Sequence, residues 1–211
     1  MDMKNTLLLL VTLLFIGFTT QAQQKLATNV KVPNIITKDA TGKKLNLQKM
    51  LRENDRVLIC FFRPVWCPIC NKRTHELIER YEELKRNGVE VIAIYPSETE
   101  IMAQYVKDAN IPFPVISDPH EKIYEKYSIE RSMQKMQVTM QNEHAMQEMK
   151  EGMELFQGKD YKTSEDEEFK TLINADFVVK NKRLLETAYY GEYVGDHYDL
   201  DGLSKNAAVR Y

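Results

Sequence analysis

The sequence predicts an α/β fold: a central mixed β-sheet flanked by helices, with an N-terminal β-hairpin and a helical insertion late in the chain. Three observations carry that expectation. Residues 57–62 form a continuous apolar run with the length of a buried strand. A charged stretch with apolar residues at helical spacing follows a few residues later. Strand-like and helix-like segments then alternate up to a last hairpin, as expected of a sheet covered by helices.

Each element has its own signal. Residues 32–37 and 44–47 flank Thr41-Gly42 and read as the N-terminal hairpin, and 56–62 as a strand. Residues 67–86 read as a helix: Ile69, Leu77, Ile78, Tyr81 and Leu84 fall largely on one face, and Asn87-Gly88 ends it. A strand at 89–95, a helix at 98–109 and a short extended run at 113–117 follow. The Asp118-Pro119 turn then leads into a helical stretch at 120–127. Residues 175–180 and 183–190 pair around Asn181-Lys182, and a short C-terminal helix begins near Asp199. The helical insertion, at about 131–170, holds six of the ten methionines between Met133 and Met153, spaced mostly by three or four. That stripe predicts an amphipathic helix whose Met face packs over the domain, a dimer partner or a substrate. The acidic residues 164–168 read as a solvated connection.

Charge and the N-terminus bound the setting. A net charge of -2 gives no electrostatic reason to expect nucleic acid. Lys4, the apolar residues 7–18 and Thr20-Gln21-Ala22 together read as a signal peptide over 1–22, leaving one domain at 23–211. Export to the periplasm is the expectation, with secretion or an uncleaved anchor as alternatives. In an oxidising space a dithiol acting as a reductant needs an external thiol donor.

The chemistry is concentrated in Trp66-Cys67-Pro68-Ile69-Cys70, between the apolar strand and the charged helix. Such a junction puts Cys67 at a helix N-terminus, where unpaired N–H groups and the helix dipole favour the thiolate. Cys70 lies one turn on, within reach of a mixed disulfide or sulfenic acid on Cys67. Cys67 is therefore the expected nucleophile and Cys70 the resolving thiol. Pro68 fits the first helical turn, which needs no proline N–H. No second Cys-x-x-Cys or close His pair is present to complete a zinc site, so no metal or other cofactor is expected. Cys60, inside the apolar run, reads as a buried inert thiol.

The element order and dithiol are those of thioredoxin, and the motifs resemble more closely the alkyl hydroperoxide reductase/thiol-specific antioxidant (peroxiredoxin-like) family of that superfamily. The resemblance is carried by Val32-Pro33-Asn34, Thr41-Gly42-Lys43, residues 61–70 and 112–119, Ala175-Asp176-Phe177, Tyr190-Gly191 and Gly195-Asp196-His197. It implies a thioredoxin-like fold and a thiol-dependent oxidoreductase or antioxidant acting on disulfides or peroxides. Three positions depart from the related patterns. Pro64 stands where typical peroxiredoxins have Thr or Ser three residues before the cysteine, and Phe61 where thioredoxins have a buried acid six residues before it. Asn174 takes the place of a cis-proline facing the dithiol, and a trans bond is expected there, because a non-proline cis bond costs about 2.5 to 4 kcal/mol.

Trp66, Arg63, Asn174 and His197 are the candidate substrate-binding or auxiliary residues. Arg63 is placed to stabilise a thiolate, against the commoner solvated arginine at a strand end; His197 is placed to donate a proton, against the commoner surface histidine. His75 and Glu76 read as the solvated face of their helix. The expected partners are an external thiol/disulfide electron donor and a protein disulfide or peroxide substrate, with a homodimer left open by the Met stripe. Two other functions compete: a copper(I)-handling protein using the dithiol, the methionines and His197, and a non-catalytic binding module with a structural Cys67–Cys70 bridge.

Overall fold

The computed structural model describes residues 24–155, 159, 161 and 171–205. The predicted signal peptide and the acidic stretch 164–168 lie outside them. Among the described residues, no helix is long and apolar enough to cross a membrane.

The N-terminal hairpin is β1 (Ile36–Lys38) and β2 (Lys44–Asn46), a two-stranded sheet of its own. It is shorter than predicted: Val32 and Ile35 are buried as core residues outside any strand. Asn46 then caps α1 (Leu47–Glu53) by accepting from the Gln48 and Lys49 N–H groups. The main sheet comprises β3 (Arg56–Phe61), β4 (Val89–Tyr95), β5 (Val115–Ser117), β6 (Ala175–Lys180) and β7 (Leu184–Tyr190), in the order β5-β4-β3-β6-β7. β3 pairs in parallel with β4 and antiparallel with β6, β4 in parallel with β5, and β6 antiparallel with β7. The sheet is thus mixed, as predicted. A short 3-10 turn, Asn181–Arg183, joins the last two strands.

Side chains alternate across the central strands and build two cores. On one face Leu58, Cys60 and Phe62 meet α2 (Pro68–Arg86), α3 (Thr99–Asp108) and α7 (Leu200–Lys205). On the other Val57, Ile59 and Phe61 meet α1 and α4 (Lys122–Lys126). Every residue of β3 and β4 is buried, which explains an apolar pattern interrupted only by Arg56 and Glu90. Being central, β3 sends its crossover through α2 to β4 on one side while β6 fills the other. The C-terminal end of β3 is thus a point where strand order reverses, the usual position for a site in an open α/β sheet. The dithiol follows directly from it.

The insertion differs most from expectation. It is two helices, α5 (Met133–Gln141) and α6 (Glu143–Leu155), broken at Asn142, whose extended backbone ends one and whose Oδ1 caps the Ala145 N–H of the other. The methionines do not form a single inward stripe. Met133, Met140, Met146 and Met153 are exposed, and the residues buried on these helices are Thr139, Ala145 and Gly152. A break of one residue rotates the second helix out of the phase set by the first, so one continuous Met face cannot persist. Small residues permit closer helix contact than methionine.

Candidate active site

The dithiol is set by the first turn of α2. Cys67 is the N-cap, with extended backbone and no side-chain capping bond, and Pro68 begins the helix. The approach loop is fastened at several points: Phe62 N–H donates to Ile94 O (2.9 Å), Val65 N–H to Ser97 Oγ (3.0 Å) and Cys67 N–H to Pro64 O (2.9 Å). Tyr124 Oη, with one proton to donate, lies between Phe62 O and Ile94 O at 2.7 and 2.8 Å. From within the helix, Asn71 Nδ2 reaches Val65 O (2.8 Å) and Cys67 O (2.9 Å). Thr74 Oγ1 donates to Cys70 O at 2.9 Å and lies 2.5 Å from Tyr95 Oη.

Within this cradle Cys70 Sγ is 2.9 Å from Cys67 Sγ, with both cysteines free and each 1% exposed. Arg63 Nη1 lies 3.6 Å from Cys67 Sγ. Burial alone raises the Cys67 thiol, but the Cys70 thiol and backbone N–H and the Arg63 guanidinium outweigh it and lower it to about 6. Burial and the adjoining Cys67 push Cys70 well up. The two sulfurs thus divide into a ready thiolate and a proton-bearing thiol, the polarity needed for nucleophilic attack followed by resolution.

Arg63 is not the solvated group that its strand-end position suggests. It is 6% exposed, and its guanidinium lies over the half-buried Trp66 ring, 5.6 Å from the centroid. Chain direction into the cap loop turns it inward. His197 is likewise no surface histidine: its side chain is 5% exposed, and Nδ1 is 3.0 Å from Asp176 Oδ2. Asn174, buried and with a trans bond, organises that loop. Its Nδ2 donates to Asp196 O (2.5 Å), its Oδ1 accepts from Gly195 N–H (2.9 Å), and its amide lies 3.5 Å from His197 Nδ1. His75 is half-buried and paired with Glu79, and Glu76 is tied to the buried Arg73 at 2.7 Å.

Asp176 is the functional-looking residue that sequence reasoning missed. It is fully buried on β6, opposite Cys60 and so on the dithiol face of the sheet. Burial would raise its pKa, but His197, Arg73 at 3.6 Å and the Tyr198 N–H (2.8 Å) hold the carboxyl down to about 2. It supplies a buried acid on that face, although Phe61 occupies the position expected for one. An acid inside the apolar run of β6 was the available signal, since carboxylates are rarely buried without partners. Cys60, buried and facing this carboxylate, is pushed well above an ordinary thiol, consistent with an unreactive core residue.

Among the described residues, no group of three or more His, Cys, Asp or Glu is arranged to hold a metal. A guanidinium beside Cys67 would also repel a cation there.

Comparison with known proteins places this arrangement. The AhpC/TSA family model matches residues 28–149. The chain belongs to the AhpC/TSA family. Over 137 residues it is 33% identical to a thiol-disulfide oxidoreductase ResA of Bacillus cereus, covering 60% of this chain and 78% of that protein. It is also 28% identical over 97 residues to the chloroplastic peroxiredoxin Q of Populus jackii, covering 46% and 45% of the two chains. In fold it is similar to the peroxidoxin BcpB from Mycobacterium tuberculosis, with a TM-score of 0.61, 16% identity and coverage of 87% and 98%. A yeast mitochondrial 1-Cys peroxiredoxin gives a TM-score of 0.60 at 15% identity, with coverage of 86% and 74%. The AhpC/TSA chain described here is thus an oxidoreductase of the thiol-dependent class, with a thioredoxin-like fold.

Proposed function

We propose that this protein reduces disulfides or peroxides through a Cys67/Cys70 dithiol cycle. The observation that carries the reading is the pairing of a thiol lowered to about 6 at a helix N-terminus with a second, protonated thiol 2.9 Å away. With a disulfide substrate, Cys67 thiolate attacks one sulfur, the S–S bond breaks and the departing thiolate takes a proton. Cys70 then gives up its proton and attacks Cys67, releasing the second substrate thiol and leaving a Cys67–Cys70 disulfide. With a hydroperoxide, Cys67 attacks the terminal oxygen, the O–O bond breaks and the alkoxide or hydroxide leaves with a proton. Cys70 then displaces hydroxide from the sulfenic acid, and water is formed. Either way two electrons leave the dithiol, and an external thiol donor returns them.

Arg63 supports the thiolate in this reading, Trp66 flanks it, and Asn174 and His197 shape the adjoining loop. The leader-like N-terminus supports a periplasmic setting. The test is rapid quench with mass spectrometry on reduced, metal-free protein mixed separately with hydrogen peroxide and with a disulfide. Oxidation of the pair through Cys67, abolished in Cys67→Ser, is expected. Retained turnover in that variant would sink the proposal.

A further inference from the structure

Asn71 stands one helical turn after Cys67 and is 3% exposed. Its amide is used on one side alone. Nδ2 donates to Val65 O (2.8 Å) and to Cys67 O (2.9 Å), while Oδ1 is buried with no hydrogen-bond partner among the described residues. The two carbonyl acceptors fix which way round the amide lies, because the reverse orientation would set one oxygen against two others. A buried acceptor left unpaired is a cost to stability, so the reason for an asparagine here lies in what Nδ2 holds.

The two carbonyls flank Trp66 in the turn that carries the nucleophile. That turn is closed by Cys67 N–H donating to Pro64 O (2.9 Å) and tied to the loop after β4 by Val65 N–H donating to Ser97 Oγ (3.0 Å). Cys67, although it is the N-cap, makes no side-chain capping bond that would fasten the turn to α2. The Asn71 amide makes that fastening, alongside its own main-chain N–H, which donates to Cys67 O at 3.2 Å. Arg63 lies on the strand side of this joint and Cys70 on the helix side. Cys67 Sγ sits between them, 3.6 Å from Arg63 Nη1 and 2.9 Å from Cys70 Sγ. Burial pushes the Cys67 thiol up, and the Cys70 and Arg63 contacts bring it down, so a shift of the turn would weaken what keeps the thiolate.

Resting on the dithiol cycle proposed above, we infer that Asn71 is a positioning residue for the nucleophile: by clamping the 65–67 turn to α2 it holds Cys67 Sγ between Arg63 and Cys70. Its printed partners are main-chain oxygens and not sulfur, so it acts through the backbone. Without the clamp, Arg63 stays on its strand and Cys70 on its helix. The sulfur between them is the atom that moves.

The test is alkylation of Cys67 by iodoacetamide across pH, resolved by peptide mapping, in the full reduced protein. Asn71→Leu keeps the approximate size of the side chain and removes both donors without adding charge; Asn71 borders a cavity with Ile78 and Ala109, which leaves room for the branched end. The midpoint, near 6 in the wild type, is expected to move upward, so that the thiolate fraction at pH 6 falls at least about threefold. A merely structural role would change the plateau rate at about pH 9 through altered exposure and leave the midpoint in place. Asn71→Ser is read in parallel, so that a folding failure of one variant leaves the other to decide. In an Arg63→Met background the Asn71 substitution is expected to move the midpoint less, because one of the contacts it positions is already gone. An unmoved midpoint, or equal movement in the two backgrounds, would overturn the inference. Alkylation reports the thiolate whether or not the dithiol turns over. A moved midpoint in a protein inert to disulfide and peroxide would therefore refute the cycle, while an unmoved one in an active protein would refute the positioning role.

Discussion

Arg63 Nη1 sits 3.6 Å from Cys67 Sγ inside a nearly closed pocket, four residues before the sulfur it faces. At that distance, with water excluded, a fixed positive charge favours the thiolate far more than it would at the surface. Arg63→Met keeps much of the side chain's packing and removes the charge. The pH midpoint for Cys67 alkylation, expected near 6 in the wild type, should then move upward toward the ordinary thiol range of about 8.5. Stopped-flow alkylation across pH measures it; an unmoved midpoint would leave the helix N-terminus and Cys70 as sufficient causes.

Cys70 should matter differently. Because Cys67 carries the ready thiolate and Cys70 is pushed up, Cys70→Ser is expected to attack a disulfide once and stop as a stable mixed disulfide on Cys67. Cys67→Ser should form none. Cys70→Ala, which leaves no side-chain donor beside Cys67, should in addition raise the Cys67 midpoint. Intact-mass measurement after mixing with oxidised glutathione distinguishes the variants.

Much of this is legible in the sequence because the signals are local. The unbroken apolar run of β3, the Cys-x-x-Cys at its end and the Asn87-Gly88 stop define α2 and the dithiol without tertiary information. What is not legible depends on contacts between distant segments. Arg63 and His197 read as surface residues because nothing nearby in sequence shows that Trp66 covers one and Asp176 holds the other. The Met periodicity is real, but Asn142 breaks it into two helices, and only Met136 and Met149 of the stripe pack on the core, beside the buried Thr139, Ala145 and Gly152. A small residue such as Gly152 signals close approach only once its neighbour, here the Pro68 carbonyl, is known.

Asn174 is expected to act as a positioning residue for the His197 loop. Asn174→Ala removes the bonds to Asp196 O and Gly195 N–H while leaving the dithiol cradle intact. Faster amide exchange across residues 191–197, with the Cys67 alkylation midpoint unchanged, is the predicted pattern. A shift in that midpoint would mean that the loop acts on the thiolate directly.

The buried Asp176 makes a pH-dependent contribution to stability whose sign follows from its depressed pKa. Its folded value, about 2, lies below the roughly 3.9 of an unfolded aspartate, so the folded state gains from this carboxylate above pH ~4 and loses that gain as pH falls toward 2. Asp176→Asn removes the charge that Arg73 and His197 face, so that the buried Arg73 loses its fully buried partner and keeps only Glu76. Breaking a buried pair in this way typically costs about 3 to 5 kcal/mol. Urea unfolding at pH 7 should therefore show a large destabilisation, and the gap between variant and wild type should narrow between about pH 4 and 2 as the native carboxylate protonates. A gap that stayed constant over that window would mean that Asp176 contributes through packing and not through its charge.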